Sequence, residues 1–233
     1  IANERHEAWE SVARKIAHEI KNPLTPIQLI IDSLRKKYSE LFDEKNKASF
    51  LEKIKTINKQ IKLIEKLVNE FSDFARMPKP IFKKNELTKI IKDSINLMKT
   101  NDKDIAINFG SKEVFYVKSD IEQLNRVFIN LFKNSIESLK EKSEKMGNFQ
   151  KKINVEIELI NDYINIIVED NGTGFTNNDF KIFSKPYFTT KKKGSGLGLS
   201  IVEKILNDHN GFIEFIPQKE GAKIKILLPK YVN

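Results

Sequence analysis

All nine glycines of this 233-residue chain fall after position 76. Glycine is the residue that most readily turns a backbone sharply. A 76-residue stretch without it offers few sharp turns and suits long uninterrupted elements. Apolar residues there recur at Trp9, Ala13, Ile16, Ile20, Leu24, Ile27, Ile31 and Leu34. Steps of three and four place them on one helical stripe. A second stripe runs through Phe50, Ile54, Ile57, Ile61, Ile64, Leu67, Val68, Phe71 and Phe74. The polar stretch from Ser39 to Lys47 separates the two. This predicts an αα-hairpin over residues 1–76. Stripes of that length are buried by pairing with a second copy, so a homodimeric four-helix bundle is expected.

The segment "RMPKP", 76–80, ends the helical pattern with two prolines. It marks a domain boundary, with residues 77–80 as hinge. Beyond it the period changes. Apolar alternation over 153–159, 163–170, 211–217 and 222–229 predicts strands. Helical patterns cover 86–99, 120–145 and 196–209. Residues 81–233 therefore read as an α/β sandwich, and the whole chain as α+β.

With 39% hydrophobic and 31% charged residues the chain can bury a core. It has no cysteine, which excludes disulfides, cysteine-bound zinc and a cysteine nucleophile. No apolar run reaches the roughly 18–20 residues of a membrane-spanning helix. The first residue is Ile1, so the sequence is expected to be cut from a longer protein. The net charge of +9 comes without an arginine-rich stripe interleaved with aromatics, so no nucleic acid is expected as partner.

Four segments of the second half carry chemistry. "EDNGTGF" (169–175) ends a strand in Asp170 and follows it with Gly172 and Gly174. Glycines permit close approach of a ligand to backbone, though a plain loop fits equally. "GSGLGLS" (194–200) carries Gly194, Gly196 and Gly198 into a helix start, where backbone N–H groups suit phosphate. It lacks the ending of a P-loop and the spacing of a dinucleotide fingerprint. On the helix "NRVFINLFKNSIES" (125–138), Asn130 and Asn134 share one face. Amide oxygens are hard ligands for Mg²⁺; two solvated amides are the plainer alternative. "FSKPYFTTKKK" (183–193) is a long aromatic and basic loop of the kind that covers sites.

Taken in order, these segments resemble the N, G1, F and G2 boxes of the histidine kinase ATP-binding domain, of the gyrase–Hsp90–kinase–MutL superfamily. The resemblance covers essentially all of residues 80–233 and implies a Bergerat-type fold binding ATP and Mg²⁺. By position, Asp170 would accept a hydrogen bond from the adenine amino group. Gly172 and Gly174 would let base and ribose lie against the backbone. Asn130 and Asn134 would hold Mg²⁺. Lys133 and Lys191 would stand near phosphates, Phe183 and Phe188 would anchor the lid, and Gly194, Gly196 and Gly198 would cradle the phosphates.

The first half carries "AHEIKNPLTPIQL" (17–29). With the buried stripe centred on Ile16, His18 lies about 200° away and faces outward. Asn22 shares that exposed face and Glu19 flanks it. Pro23 and Pro26 stand inside the predicted helix, where a proline costs roughly 3 kcal/mol. Pro23 also frees a carbonyl near Glu19. Strain tolerated beside an exposed histidine points to function. His6 and His209, by contrast, read as ordinary exposed helix histidines.

This segment is similar to the H-box of the dimerisation and histidine-phosphotransfer domain of sensor histidine kinases. The resemblance makes His18 the phosphoacceptor and Glu19 its general base. Asn22 would position water for hydrolysis of the phosphorylated partner, a phosphatase activity. Residues 9–29 are closer still to the NtrY-type nitrogen-regulation kinases, whose partner is an NtrX-type response regulator. Proteins of that type are anchored in the inner membrane by segments preceding the kinase core. Two other functions remain open: a dimeric ATP-binding scaffold without phosphotransfer, and an ATPase of the same fold that drives clamping.

Overall fold

A computed structural model describes residues 2–101, 104–111, 113–175 and 196–232, with side chains from Val12 onward except at 100 and 101. The chain divides into two compact units, Ile1–Pro78 and Lys79–Asn233.

The first unit is a helical hairpin. Helix α1 (Ala2–Tyr38) runs through Pro23 and Pro26 without interruption. A 3₁₀ turn at Ser39–Leu41 leads to α2 (Glu44–Ala75). Asp43 caps α2 by accepting a hydrogen bond from the Asn46 N–H at 2.9 Å. Most residues buried within the hairpin repeat every seven positions: Ala17, Leu24 and Ile31 on α1, with Ile54, Ile61, Val68 and Ala75 on α2. Ala13 and Ser72 are buried as well. Leu24, Ile31, Ile54 and Ile61 form one cluster, with Phe50 against it.

The other half of the predicted stripes is different. Ile16, Ile20, Ile27 and Leu34 on α1 and Ile57 and Ile64 on α2 are 38–44% exposed. The expected stripe centre at Ile16 is therefore displaced: Ala13 and Ala17 take the hairpin interface, because two closely packed helices admit small residues there. Heptad packing buries two positions per repeat; along most of this hairpin only one is buried, with Ala13 and Ser72 the exceptions.

The second unit is built on a five-stranded sheet. After β1 (Lys83–Glu86) and α3 (Leu87–Asn101) come β2 (Ala106–Phe109), β3 (Tyr116–Ser119) and α4 (Ile121–Met146). Then follow β4 (Lys152–Ile160), β5 (Tyr163–Asp170), α5 (Gly198–Asp208), β6 (Phe212–Ile216) and β7 (Ala222–Pro229). The sheet order is β2-β4-β5-β7-β6, parallel between β2 and β4 and antiparallel elsewhere. β1 and β3 form a separate antiparallel pair. β1, β2 and β3 are four residues each, too short to show a period, and the sequence did not reveal them.

Strand alternation sorts the faces. Ile164, Ile166 and Val168 of β5 stand opposite Leu228, Ile226 and Ile224 of β7. All six are buried. So are Leu124, Val127, Phe128, Leu131 and Phe132 of α4 and Ile201, Val202, Ile205 and Leu206 of α5. On the alternate positions Lys223 pairs with Glu169 at 3.2 Å and Lys225 with Glu214 at 3.5 Å. Three helices thus cover one face of the sheet, as a two-layer sandwich requires.

His209 departs from the expectation that it is an exposed helix histidine. It caps the end of α5 with 4% exposure. Its Nδ1 meets the Ile205 carbonyl at 2.7 Å, and its Nε2 accepts from the Asp120 N–H at 3.0 Å. Asp120 in turn caps α4, accepting from Glu122 and Gln123, and takes the Ile81 N–H at 2.9 Å. Burial pushes the His209 pKa below its ordinary value, against the Ile205 carbonyl and the nearby Asp120 and Asp208. Burial pushes Asp120 up, but the backbone donors Ile81, Gln123 and Glu122 together hold it below the usual value.

The two groups act in separate pH windows. A folded state that keeps His209 neutral binds fewer protons than the unfolded chain. Its contribution is complete above the unfolded histidine pKa of about 6.5 and is lost as pH falls below it. Asp120 contributes above about 3.9 and loses that contribution only in stronger acid. The melting temperature is expected to drop between pH 7 and 5, and His209→Gln to flatten that drop while leaving the loss below pH 4. An unchanged profile in His209→Gln would show that another group titrates.

Candidate nucleotide site and the exposed histidine

The site lies where α4, the end of β5 and the start of α5 meet. On α4 the side chains Asn130, Asn134, Ser138 and Lys142 follow at intervals of four, a row winding along one side of the helix. Asn130 donates from Nδ2 to the Arg126 carbonyl at 2.8 Å, and its Oδ1 stands beside the start of α5. A Cβ on Gly198 would stand 3.3 Å from that oxygen and 4.0 Å from Asn134 Nδ2. The first turn of α5 therefore meets the asparagine pair with no side chain between. Gly196, just before it, has φ +70°. Lys133 is exposed on the neighbouring side of α4.

Asp170 ends β5 with 5% exposure. Its Oδ1 accepts from the Gly172 N–H at 2.9 Å and the Ala222 N–H at 3.4 Å. A loop and the start of β7 thus hold one carboxylate from two sides. Ser138 supports the loop: its Oγ accepts from the Thr173 N–H at 2.9 Å and lies 3.1 Å from Thr173 Oγ1. Gly172 has no room for a side chain, since a Cβ would overlap Ser138 Oγ and lie 2.9 Å from Asp170 Oδ1. Gly174, at φ +72°, closes against the Gly221 carbonyl, and Phe175 meets Phe215 edge-on at 5.4 Å.

The structure thus brings Asn130, Asn134, Asp170, Gly172, Gly174, Gly196 and Gly198 into one region. Phe183, Phe188, Lys191 and Gly194 lie outside the described residues. Sequence reasoning missed Ser138, Lys142 and Gly221. The first two carried a signal, the interval of four continuing from Asn130 and Asn134. Gly221, alone in a turn, carried none. Among the described residues no group of three His, Cys, Asp or Glu side chains could hold a metal.

The other candidate residues sit in the hairpin unit. His18 follows the buried Ala17 and is itself exposed, as is Asn22 one turn on. Glu19 lies 4.0 Å from Lys15, an exposed pair one turn apart.

Residues 8–80 match the family model of the His Kinase A (phospho-acceptor) domain. Residues 119–232 match that of the histidine kinase-, DNA gyrase B- and HSP90-like ATPase. A sensor histidine kinase of Rickettsia conorii, named NtrY-like, is 40% identical over 97% of this chain and 37% of its own length. Nitrogen regulation protein NtrY of Azorhizobium caulinodans is 35% identical over 98% of this chain and 30% of its own. This chain therefore spans only about a third of the length of these curated relatives. Among solved structures, histidine kinase ThkA in complex with response regulator protein TrrA is 24% identical, with a TM-score of 0.63. That match covers 98% of this chain and 64% of that one, a likeness of fold. With a phospho-acceptor domain followed by an ATPase domain, this chain belongs to the sensor histidine kinases and is similar to those of NtrY type.

Proposed function

We propose that this chain is the catalytic core of a two-component sensor histidine kinase, transferring the γ-phosphoryl group of ATP to His18 and then to a response-regulator aspartate. The observation that carries the reading is an exposed histidine on a helical hairpin, in one chain with a cluster of glycines and asparagines near a buried carboxylate.

In this reading Asp170 recognises the adenine amino group, and Gly172 and Gly174 admit base and ribose. Gly194, Gly196 and Gly198 offer backbone N–H groups to the phosphates at the start of α5. Lys133 and Lys191 add charge, while Phe183 and Phe188 hold the lid. The amide oxygens of Asn130 and Asn134 are of the kind Mg²⁺ takes, and the Asn130 Oδ1 beside Gly198 fits that use. The cation would supply charge neutralisation at the triphosphate. One imidazole nitrogen of His18 attacks the γ-phosphorus as the bond to the ADP oxygen breaks. Glu19 takes the proton from the other nitrogen. Asn22 orients water when the phosphorylated regulator is hydrolysed.

The domains divide at residues 77–80, which act as the hinge. Residues 1–76 pair two chains. The half-exposed Ile20, Ile27, Leu34, Ile57 and Ile64 are a heptad series awaiting a second hairpin. The likeness to NtrY-type relatives supports an NtrX-type regulator as partner and an inner-membrane anchor as the setting. Among the described residues no helix is long and apolar enough to cross a membrane.

The test is incubation with Mg²⁺ and ATP labelled at the γ-phosphate. Label on the chain that acid releases and alkali spares is expected. ATP binding without label would favour the dimeric scaffold. Steady release of phosphate without labelled protein would favour the ATPase.

A further inference from the structure

We propose that Lys142, acting with Glu220, is a positioning residue that sets affinity and selectivity for adenine by fixing the Asp170 carboxylate; this rests on the nucleotide reading above. Lys142 is 8% exposed. Burying an ammonium group is costly unless its donors are used. Here Nζ donates to the Asn171 carbonyl at 2.8 Å and pairs with Glu220 Oε1. It also stands 4.9 Å over the Phe149 ring.

The positions of these partners matter more than their number. Asp170 Oδ1 is held by two backbone donors, Gly172 and Ala222. Asn171 lies between Asp170 and the first of them. Glu220 stands two residues before the second. One ammonium therefore ties together the two segments that orient the carboxylate. Asn171 leaves the loop no slack, since its Oδ1 accepts from the Lys152 N–H and its Nδ2 donates to the Gln150 carbonyl, each at 2.9 Å.

Stability alone is a poor explanation. The Glu220 side chain is 70% exposed, and exposed partners contribute little. A plain structural role for Lys142 would be favourable charge near the C-terminal end of α4. That role predicts lower thermal stability with unchanged nucleotide preference.

The experiment measures dissociation constants for ATP and GTP, with melting temperatures, on the whole chain and its Lys142→Met, Lys142→Arg and Glu220→Gln variants. Lys142→Met is expected to weaken ATP binding about tenfold, the scale of one lost charged hydrogen bond. GTP binding should hardly change, so that the ATP preference narrows. Lys142→Arg should recover most of the preference. Glu220→Gln should narrow it about threefold with little change in melting temperature, and it carries the test if Lys142→Met does not fold. Equal losses for both nucleotides, or a lower melting temperature at unchanged ATP affinity, would overturn the proposal. A wild-type chain that binds no ATP would instead remove the nucleotide reading itself.

Discussion

His18→Gln abolishes acid-labile labelling, a loss of more than about a thousandfold, because no other group takes over once the nucleophile is gone. The substitution isolates chemistry from folding. Residue 18 is exposed on α1, glutamine is at home in helices, and surface exchanges of this kind stay within about 0.5 kcal/mol. Glutamine keeps a polar side chain of similar reach but offers no basic ring nitrogen. ATP affinity should remain within about twofold of wild type, since His18 and the Asp170 site belong to different units. Glu19→Gln should slow labelling by about a hundredfold, the usual scale of a lost general base. Asn22→Ala should label normally and lose only hydrolysis of the phosphorylated regulator. Label retained on His18→Gln would place the acceptor elsewhere and remove the central assignment.

Gly221→Ala is expected to cost about 4 kcal/mol of stability and more than tenfold in ATP affinity. Gly221 has φ +73°, a conformation that costs an L residue about 1–2 kcal/mol. The added Cβ would overlap the Asp170 carbonyl oxygen, at 2.8 Å from its carbon and 2.9 Å from Asn171 Cα. These are backbone atoms that cannot rotate away, and overpacking adds about 1–3 kcal/mol. Relief requires moving the end of β5 or the start of β7, and with either the Ala222 donor to Asp170 shifts. The melting temperature should fall by about 10 °C, at roughly 2–4 °C per kcal/mol in a domain of this size. A Gly147→Ala control shares the positive φ but has open space at its Cβ, so it should cost only the backbone part and leave ATP affinity intact. Equal behaviour of the two variants would show that the crowding at Gly221 is relieved without cost to the site.

The sequence was legible where a period was long. Two stripes of about seven turns each gave both helices of the hairpin, and strands of eight or nine residues gave β4, β5 and β7 within a residue or two. The asparagine pair and the glycines around Asp170 were readable because their chemistry is local: an interval of four, an acid at a strand end, glycines at a helix start.

What the sequence by itself determined, then, was a helical hairpin, an α/β layer and the residue types of the site. Periodicity and backbone freedom are properties of neighbours along the chain, and they need no fold to be expressed. Tertiary structure alone decided which half of each stripe the hairpin buries and that His209 is a buried link between α4 and α5. It also decided that Lys142, Glu220 and Gly221 converge on Asp170. Those contacts join residues separated by 29 to 89 positions. Pattern holds no record of such distances, because only the closing of the sheet against its helices brings the partners together.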